Sequence, residues 1–271
     1  MSKKISVLLL TQNSEKFIKR CLDSLTRFDE VVIIDGGSTD RTLEIAASYE
    51  NVVIHKNPWP GFIAQRNFSI DKATHEWCFM IDSDEAMTVE LADEIYKIVN
   101  NNPDKVLYNI CRTEYYLGQE VSSGHGKSWW QERLFIKDRV RYTGGNHHEH
   151  LIDGKPVHEQ SDKIGYINQN FRVLHDPTYG IEDWVKKVPR FTLLVANEKF
   201  ERGKRVGAIE VLATLYWTFF HIFKKSWRLG KLGFVISAQT AIFRALIKLI
   251  IYEKTQIGFS SKSDVHDKYL G

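Results

Sequence analysis

Cysteine is scarce in this sequence. The 271 residues include three, Cys21, Cys78 and Cys111, too few and too scattered for a disulfide framework or a CxxC zinc site. Net charge is nearly absent. Against 34 Asp and Glu stand 37 Lys and Arg, leaving +3, which argues against a general nucleic-acid binder. No cleavable export signal is expected at the start of the sequence. The start is basic, but its apolar run Ile5–Leu10 is short and leads into Thr11-Gln12-Asn13 with no small-residue cleavage site, so a cytoplasmic location is expected. There is no GxGxxG and no GxxxxGK[ST], which argues against a dinucleotide or ATP site of the usual kind. HExxH, internal repeats and low-complexity tracts are absent as well.

The chain is rich in core-forming residues. It is 43% hydrophobic, with fifteen Phe, eleven Tyr and seven Trp, enough to bury a full core. The small net charge hides a split. Residues 185–254 carry fourteen Lys and Arg against four Glu, a net +10, so the remainder is −7.

The first hundred residues alternate between two periodicities. Short apolar runs at 5–10, 31–34, 51–55 and 77–81 predict buried strands. Between them lie helical patterns: 14–27 capped by Ser14, 41–49 capped by Asp40, 62–72, and a helix from Thr88 to Asn100. This βαβ order predicts an α/β fold with a mostly parallel central sheet flanked by helices. Beyond residue 103 strands are expected at 106–112 and 134–136, with loops at 118–126 and 144–154. From Ile181 the pattern is helical, Pro189 marking a kink or a boundary. The organisation expected is a catalytic domain over 1–180, C-terminal helices over 181–255 and a polar tail over 256–271.

Acidic residues mark the ends of the strands. Asp35 closes one strand, and Asp82-Ser83-Asp84-Glu85 follows another. Side chains two apart on an extended segment point the same way, so Asp82 and Asp84 can face one site. Ligands of open parallel sheets bind beyond the carboxyl ends of the strands. Carboxylates gathered there repel unless a cation joins them, and Mg²⁺ or Mn²⁺ bridging to a diphosphate is the economical solution.

These residues carry a family resemblance. The segments Ile5–Asn13 (ISVLLLTQN), Glu30–Thr42 (EVVIIDGGSTDRT), Gln65-Arg66-Asn67 and Phe79–Glu85 (FMIDSDE) resemble, in order, the opening strand, nucleotide-binding aspartate, ARN segment and DxD motif of glycosyltransferase family 2. The fold implied is GT-A, a Rossmann-like nucleotide-sugar domain. Further on, WQERLF (130–135), GNHHEHL (145–151) and VLHD (173–176) resemble the branch containing lipopolysaccharide inner-core β-1,4-glucosyltransferases. Gly36 stands where many members have a second acid, Gln65 replaces the usual alanine, and extra histidines flank the His-Glu pair.

The resemblance implies roles. Asp35 receives hydrogen bonds from uracil or ribose, with Thr11 and Asn13 beside it and Arg66 near the base or diphosphate. The Asp82-Ser83-Asp84 motif places Asp82 near the ribose and Asp84 on the metal. His175 completes metal or diphosphate binding. Glu149 is the catalytic base. Trp130, Arg133 and His148 are candidates for contact with acceptor or phosphate. The expected activity is an inverting, metal-dependent hexosyl transfer from a UDP-sugar, glucose leading, to a lipid-linked glycan such as lipopolysaccharide inner core. Alternatives are a transferase for capsule or another surface glycan, a non-catalytic nucleotide-sugar-binding scaffold, and a phosphohydrolase built on the histidine cluster. Glu149 and Arg133 each also fit a structural ion pair.

The C-terminal helices have their own reading. Ser237, Thr240, Arg244 and Lys248 recur every three or four residues, a polar stripe on an apolar helix. That suits a helix lying in a membrane interface, with Lys224, Lys225, Arg228 and Lys231 facing anionic lipid. The competing reading is a core helix or a contact between copies in a homo-oligomer.

Overall fold

A computed structural model describes residues 2–116, 118–121, 129–143, 149–176 and 180–256. The chain divides into two compact units: Met1–Tyr115 with Ser128–Pro177, and Tyr116–Lys127 with Thr178–Gly271.

The first unit opens with β1 (Ile5–Thr11), α1 (Ile18–Asp23), β2 (Glu30–Asp35), α2 (Thr42–Ala46), β3 (Val52–Lys56), α3 (Phe62–Lys72) and β4 (Trp77–Asp82). Strands β1 to β4 pair in the order β3-β2-β1-β4, all parallel. A short β5 (Glu85–Met87) leads into α4 (Val89–Asn100), and β6 (Leu107–Tyr116) follows. A two-residue β7 (Gln119–Glu120) belongs to the second unit. Next come β8 (Trp129–Ile136), β9 (Val140–Thr143), β10 (Glu149–Ile152), β11 (Lys155–Pro156), β12 (Ile164–Tyr166) and β13 (Arg172–His175). The sheet continues from β4 as β8-β6-β13-β5, with β12 also on β6. In this second half β8 is antiparallel to both neighbours, β13 is parallel to β6, and β5 is antiparallel to β13. Strands β9, β10 and β11 form a separate antiparallel sheet.

Period-two alternation sorts the core onto two faces. Ile5, Val7, Leu9, Val31, Ile33, Trp77, Phe79 and Ile81 pack on one side with α1, α2 and α4. On the other, Leu8, Val32, Ile34, Cys78 and Met80 meet α3 and the small sheet through Ile70, Tyr142 and Ile152. A continuous apolar run reads as strand because both faces are covered. All three cysteines are buried thiols.

Three local expectations are corrected. The helix expected over 14–27 shortens to α1, and Ser14 does not cap it; its hydroxyl meets that of Ser83 at 2.8 Å. Helix α2 is likewise short, although Asp40 Oδ1 still accepts the Thr42 amide at 3.0 Å. The loop expected over 144–154 contains strands β10 and, at its end, the turn at Asp153-Gly154 into β11. Thr88 caps α4 as expected, its Oγ1 accepting from the Leu91 amide at 3.3 Å.

The second unit contains three long helices: α5 (Ile181–Glu201), α6 (Ala208–Ser226) and α7 (Lys231–Gln256). Pro189 lies inside α5 rather than ending it. α7 packs along both α5 and α6. Gly233 permits the approach, since a Cβ there would stand 2.0 Å from the Ser226 carbonyl oxygen. The expected polar stripe on α7 divides. Ser237 is fully buried and its hydroxyl meets Ser226 at 3.2 Å. Lys248 donates to Glu210 of α6 at 2.7 Å. Only Arg244 of the four is exposed. The reason is that hydroxyls satisfied within a helix pair can sit at its seam. Among the described residues α7 alone is long and apolar enough to cross a membrane.

Candidate active site

Register brings the expected residues to one edge. Thr11 pairs with Asp35, and Leu10 with Asp82, so the carboxyl ends of β2, β1 and β4 lie side by side. The Thr11 hydroxyl is buried with no hydrogen-bond partner. A buried polar group without a partner is costly, and this one sits where a ligand of such a sheet is expected.

Asp35 is engaged by the turn that follows it. Its Oδ2 accepts the Gly37 and Ser38 amides at 3.0 Å each, and its Oδ1 accepts Ser38 Oγ at 2.5 Å and the Ser38 amide at 3.3 Å. A carboxylate has about four acceptor directions, and the turn fills them. Gly37 takes φ +102°, which a side chain resists. Asn13 also braces this turn, its Oδ1 accepting the Thr39 amide at 2.8 Å. Gly36, in place of a second acid, lies under Trp59; a Cβ would come within 3.3 Å of the indole.

Around the DxD segment, charges of alternating sign run in a chain. Arg66 lies 3.5 Å from Asp82, which lies 3.8 Å from Arg133. Arg133 holds Glu85 at 2.6 Å, and Glu85 lies 3.5 Å from Arg112. Arg112 meets Glu114 at 2.6 Å; Glu114 meets His175 Nδ1 at 2.5 Å; His175 Nε2 lies 3.5 Å from Asp84. Strand pairing explains the assembly. His175 is directly opposite both Glu85 and Glu114, while Arg112 and Glu114 share a face of β6 as alternate residues.

Burial separates the carboxylates by task. Glu85 is fully buried. Burial pushes its carboxyl up, Arg133 opposing, and its Oε2 accepts the Asp82 amide at 3.0 Å. It therefore braces the loop from within. The Asp82 and Asp84 side chains remain about a third open, so they are the acids a ligand can meet. Ser83 sits between them, its hydroxyl on Ser14. Arg20 of α1 fixes the same loop by donating to the Asp84 carbonyl at 2.6 Å.

His175 is held by its neighbours. Burial disfavours the charged ring, but Asp84 and Glu114 outweigh it and raise the imidazole to about 9. Glu114 feels the converse: burial opposes its charge, yet His175 and Arg112 keep the carboxyl below the usual range. With Nδ1 engaged by Glu114, the ring presents Nε2 towards Asp84, the arrangement by which a carboxylate orients a metal-binding histidine. Two donors of one divalent cation stand roughly 3 Å apart, so Asp84 and His175 fit a shared cation. No group of three or more such ligands occurs among the described residues.

Arg133 is not a free fork for phosphate. It is buried, donating to the Met80 carbonyl at 3.0 Å, to Gln131 and to Glu85. A cavity of about 400 Å³ opens beside it, lined also by Arg66, Arg112, Trp130, Glu132 and His150. Trp130 is part-exposed, its ring edge-on to Tyr166 at 5.4 Å. His150 lies 2.7 Å from Glu132 and packs on Tyr142, and Arg66 sits 5.0 Å over that same tyrosine ring. Glu149 opens β10 opposite Thr143; its side chain and His148 lie outside the described residues. Sequence reasoning missed Arg112, Glu114, Glu132 and Arg20. Only the Arg112-Thr113-Glu114 alternation, two opposite charges on one strand face, could have signalled any of them.

Comparison with known proteins places this geometry. The chain is 24% identical over 258 residues to the lipopolysaccharide core biosynthesis glycosyltransferase LpsC of Rhizobium meliloti (strain 1021), covering 92% of each. It is 30% identical over 253 residues to the uncharacterized glycosyltransferase RT0209 of Rickettsia typhi, covering 90% of this chain and 85% of that one. In structure it resembles S. aureus TarS 1-349 in complex with UDP, with a TM-score of 0.51 at 16% identity, covering 94% and 92% of the two chains. That likeness establishes the GT-A architecture followed by helices. Residues 6–156 match the family described as glycosyl transferase family 2, and the chain therefore belongs to that family of glycosyltransferase enzymes.

Proposed function

We propose that this enzyme is an inverting, metal-dependent transferase. It takes a hexose from a UDP-sugar, glucose leading, and adds it to a lipid-linked glycan such as lipopolysaccharide inner core. The supporting observation is the row of Thr11, Asp35 and Asp82 at the carboxyl edge of the sheet, joined to similarity to a lipopolysaccharide core glycosyltransferase along 92% of the chain.

The residues divide the work. The Thr11 hydroxyl offers an unused hydrogen bond to the nucleoside. Asp35 shapes the turn at its edge and reaches base or ribose only when Ser38 yields. Asp82 lies on the ribose side, steered by Arg66. Asp84 and His175 would hold Mg²⁺ or Mn²⁺, which stabilises the negative charge of the departing diphosphate. Glu114 fixes the histidine. Glu149 takes the acceptor hydroxyl's proton as attack develops. One displacement inverts the anomeric carbon, so an α-linked donor yields a β-linked product. Trp130 offers an open aromatic face to a sugar ring.

The second unit supports membrane placement. Fifteen of the twenty-one exposed large apolar side chains among the described residues lie in it. On α6, Ile209, Leu212, Tyr216 and Phe220 follow helical spacing, and Lys224 and Lys225 close the helix. We read this unit as resting on the anionic cytoplasmic face of the membrane.

The test is transfer. The enzyme is incubated with UDP-glucose and truncated lipopolysaccharide, and the product linkage is read by NMR. A β-linked hexose on the acceptor supports the proposal. An α-linkage, or sugar release independent of acceptor, overturns it.

A further inference from the structure

The second unit contains a cavity of about 800 Å³ between the end of α5, the first half of α6 and the second half of α7. Five cations line it: Lys199, Arg202, Lys204, Arg244 and Lys248. One acid does, Glu210. Glu210 works as a hinge for two of them, meeting Lys248 at 2.7 Å and Lys204 at 3.3 Å. Arg202 is tied to Glu198, one turn earlier, at 2.6 Å. Lys199 and Arg244 have no acidic partner among the described residues. The remaining lining is largely apolar and includes Trp217, 70% exposed, with Ile247 and Ile251.

Two unpaired cations beside two shared ones make a strong locus for a dianion. Arg244 brings a planar fork and Lys199 a compact ammonium, the two donors that suit phosphate. An isolated ion would leave the apolar part of the cavity without partners. A phosphate group carried on an apolar body satisfies both parts.

We infer that this cavity is a binding site for a phosphate monoester on an amphipathic molecule, with the headgroup of an anionic phospholipid as its occupant. The site is separate from the basic cluster Lys224, Lys225, Arg228 and Lys231. Glu210 and Lys224 are fourteen residues apart on α6, roughly 21 Å along the helix. It rests on the membrane reading above only for the source of the phosphate.

The experiment uses the full chain and sedimentation with phosphatidylcholine vesicles. These contain either phosphatidic acid, a monoester, or phosphatidylglycerol, a diester, at matched surface potential, each with and without inorganic phosphate. Two charge-matched variants are compared, Lys199→Ala with Arg244→Ala, and Lys224→Ala with Lys225→Ala. All four side chains are exposed, so folding is retained. The site predicts a wild-type preference for phosphatidic acid. The pocket pair loses that preference and about tenfold in affinity; the other pair weakens both lipids alike and keeps the preference. Competition by inorganic phosphate, or its calorimetric binding without vesicle binding, upholds the pocket with free phosphate as source and, in the latter case, removes the membrane reading. A pocket pair that retains the preference, or a wild type with neither preference nor phosphate binding, overturns the site.

Discussion

The two units handle charge in opposite ways. In the first, cations turn inward and end on carboxylates: Arg133 on Glu85, Arg112 on Glu114, Arg66 on Asp82. In the second, the cluster Lys224, Lys225 and Arg228 stands exposed beside the open ring of Trp227. An inward network fixes atoms where reacting groups must be placed, because burial makes each misplacement expensive. An outward array suits a partner that is itself charged and fluid, since attraction there is long-ranged and tolerant of position. Chemistry and attachment are therefore expected to separate by substitution.

The largest expected effects fall in the first unit and leave attachment untouched. Asp84→Ala removes metal-dependent UDP binding and turnover, with vesicle binding unchanged; calorimetry that finds normal UDP binding with Mn²⁺ would take Asp84 out of the metal site. Glu149→Gln keeps donor affinity and loses about 10²–10⁴ in turnover. Near-normal turnover would exclude it as the base. Arg133→Met leaves buried Glu85 with only the more distant Arg112, at 3.5 Å, and costs about 3 kcal/mol of stability in urea unfolding. The double variant with Glu85→Leu should recover part of that loss, which would distinguish a brace from a substrate contact.

A smaller effect concerns pH. His175 is raised to about 9 by Asp84 and Glu114, against burial, above an ordinary value of about 6.5. In metal-free protein its contribution to stability is fully present below about pH 6.5 and lost as pH rises through 9, on the order of 3 kcal/mol. Thermal melts of wild type and His175→Ala should differ at pH 6 and converge above 9; a gap that persists at high pH would contradict the ion-pair account. The smallest effect lies in the second unit. Lys224→Ala with Lys225→Ala should weaken vesicle binding several-fold at low salt and little at high salt, with turnover on a soluble acceptor unaltered.

The legibility of the fold followed its periodicity. Strands β1, β2 and β4 were plain because covered parallel strands are continuous apolar runs, and α4 carried both a cap and an apolar stripe. Helix α1 was overestimated because Ser14 resembles a cap while its hydroxyl serves Ser83. Asp82 was readable as the end of an apolar strand, whereas Asp84 lies in the turn between β4 and β5, which the two-residue period of an extended segment does not describe. The relay through Arg112, Glu114 and His175 could not be read, because it depends on β13 inserting beside β6 from sixty residues away, a pairing that no local pattern encodes. Asp35 illustrates a different gap: its position at the strand end was readable, but its four bonds to the following turn depend on the conformation of Gly37.

The central claim is that the carboxyl edge of β2, β1 and β4 binds a UDP-sugar with a divalent cation. The most direct measurement is the thermal shift of the purified chain with UDP-, GDP- and dTDP-sugars, each with and without Mn²⁺. The account predicts a shift that requires both the metal and a uridine nucleotide, is largest for one UDP-hexose and is lost in Asp84→Ala. A shift indifferent to metal or to the base, or one unchanged in Asp84→Ala, would contradict it.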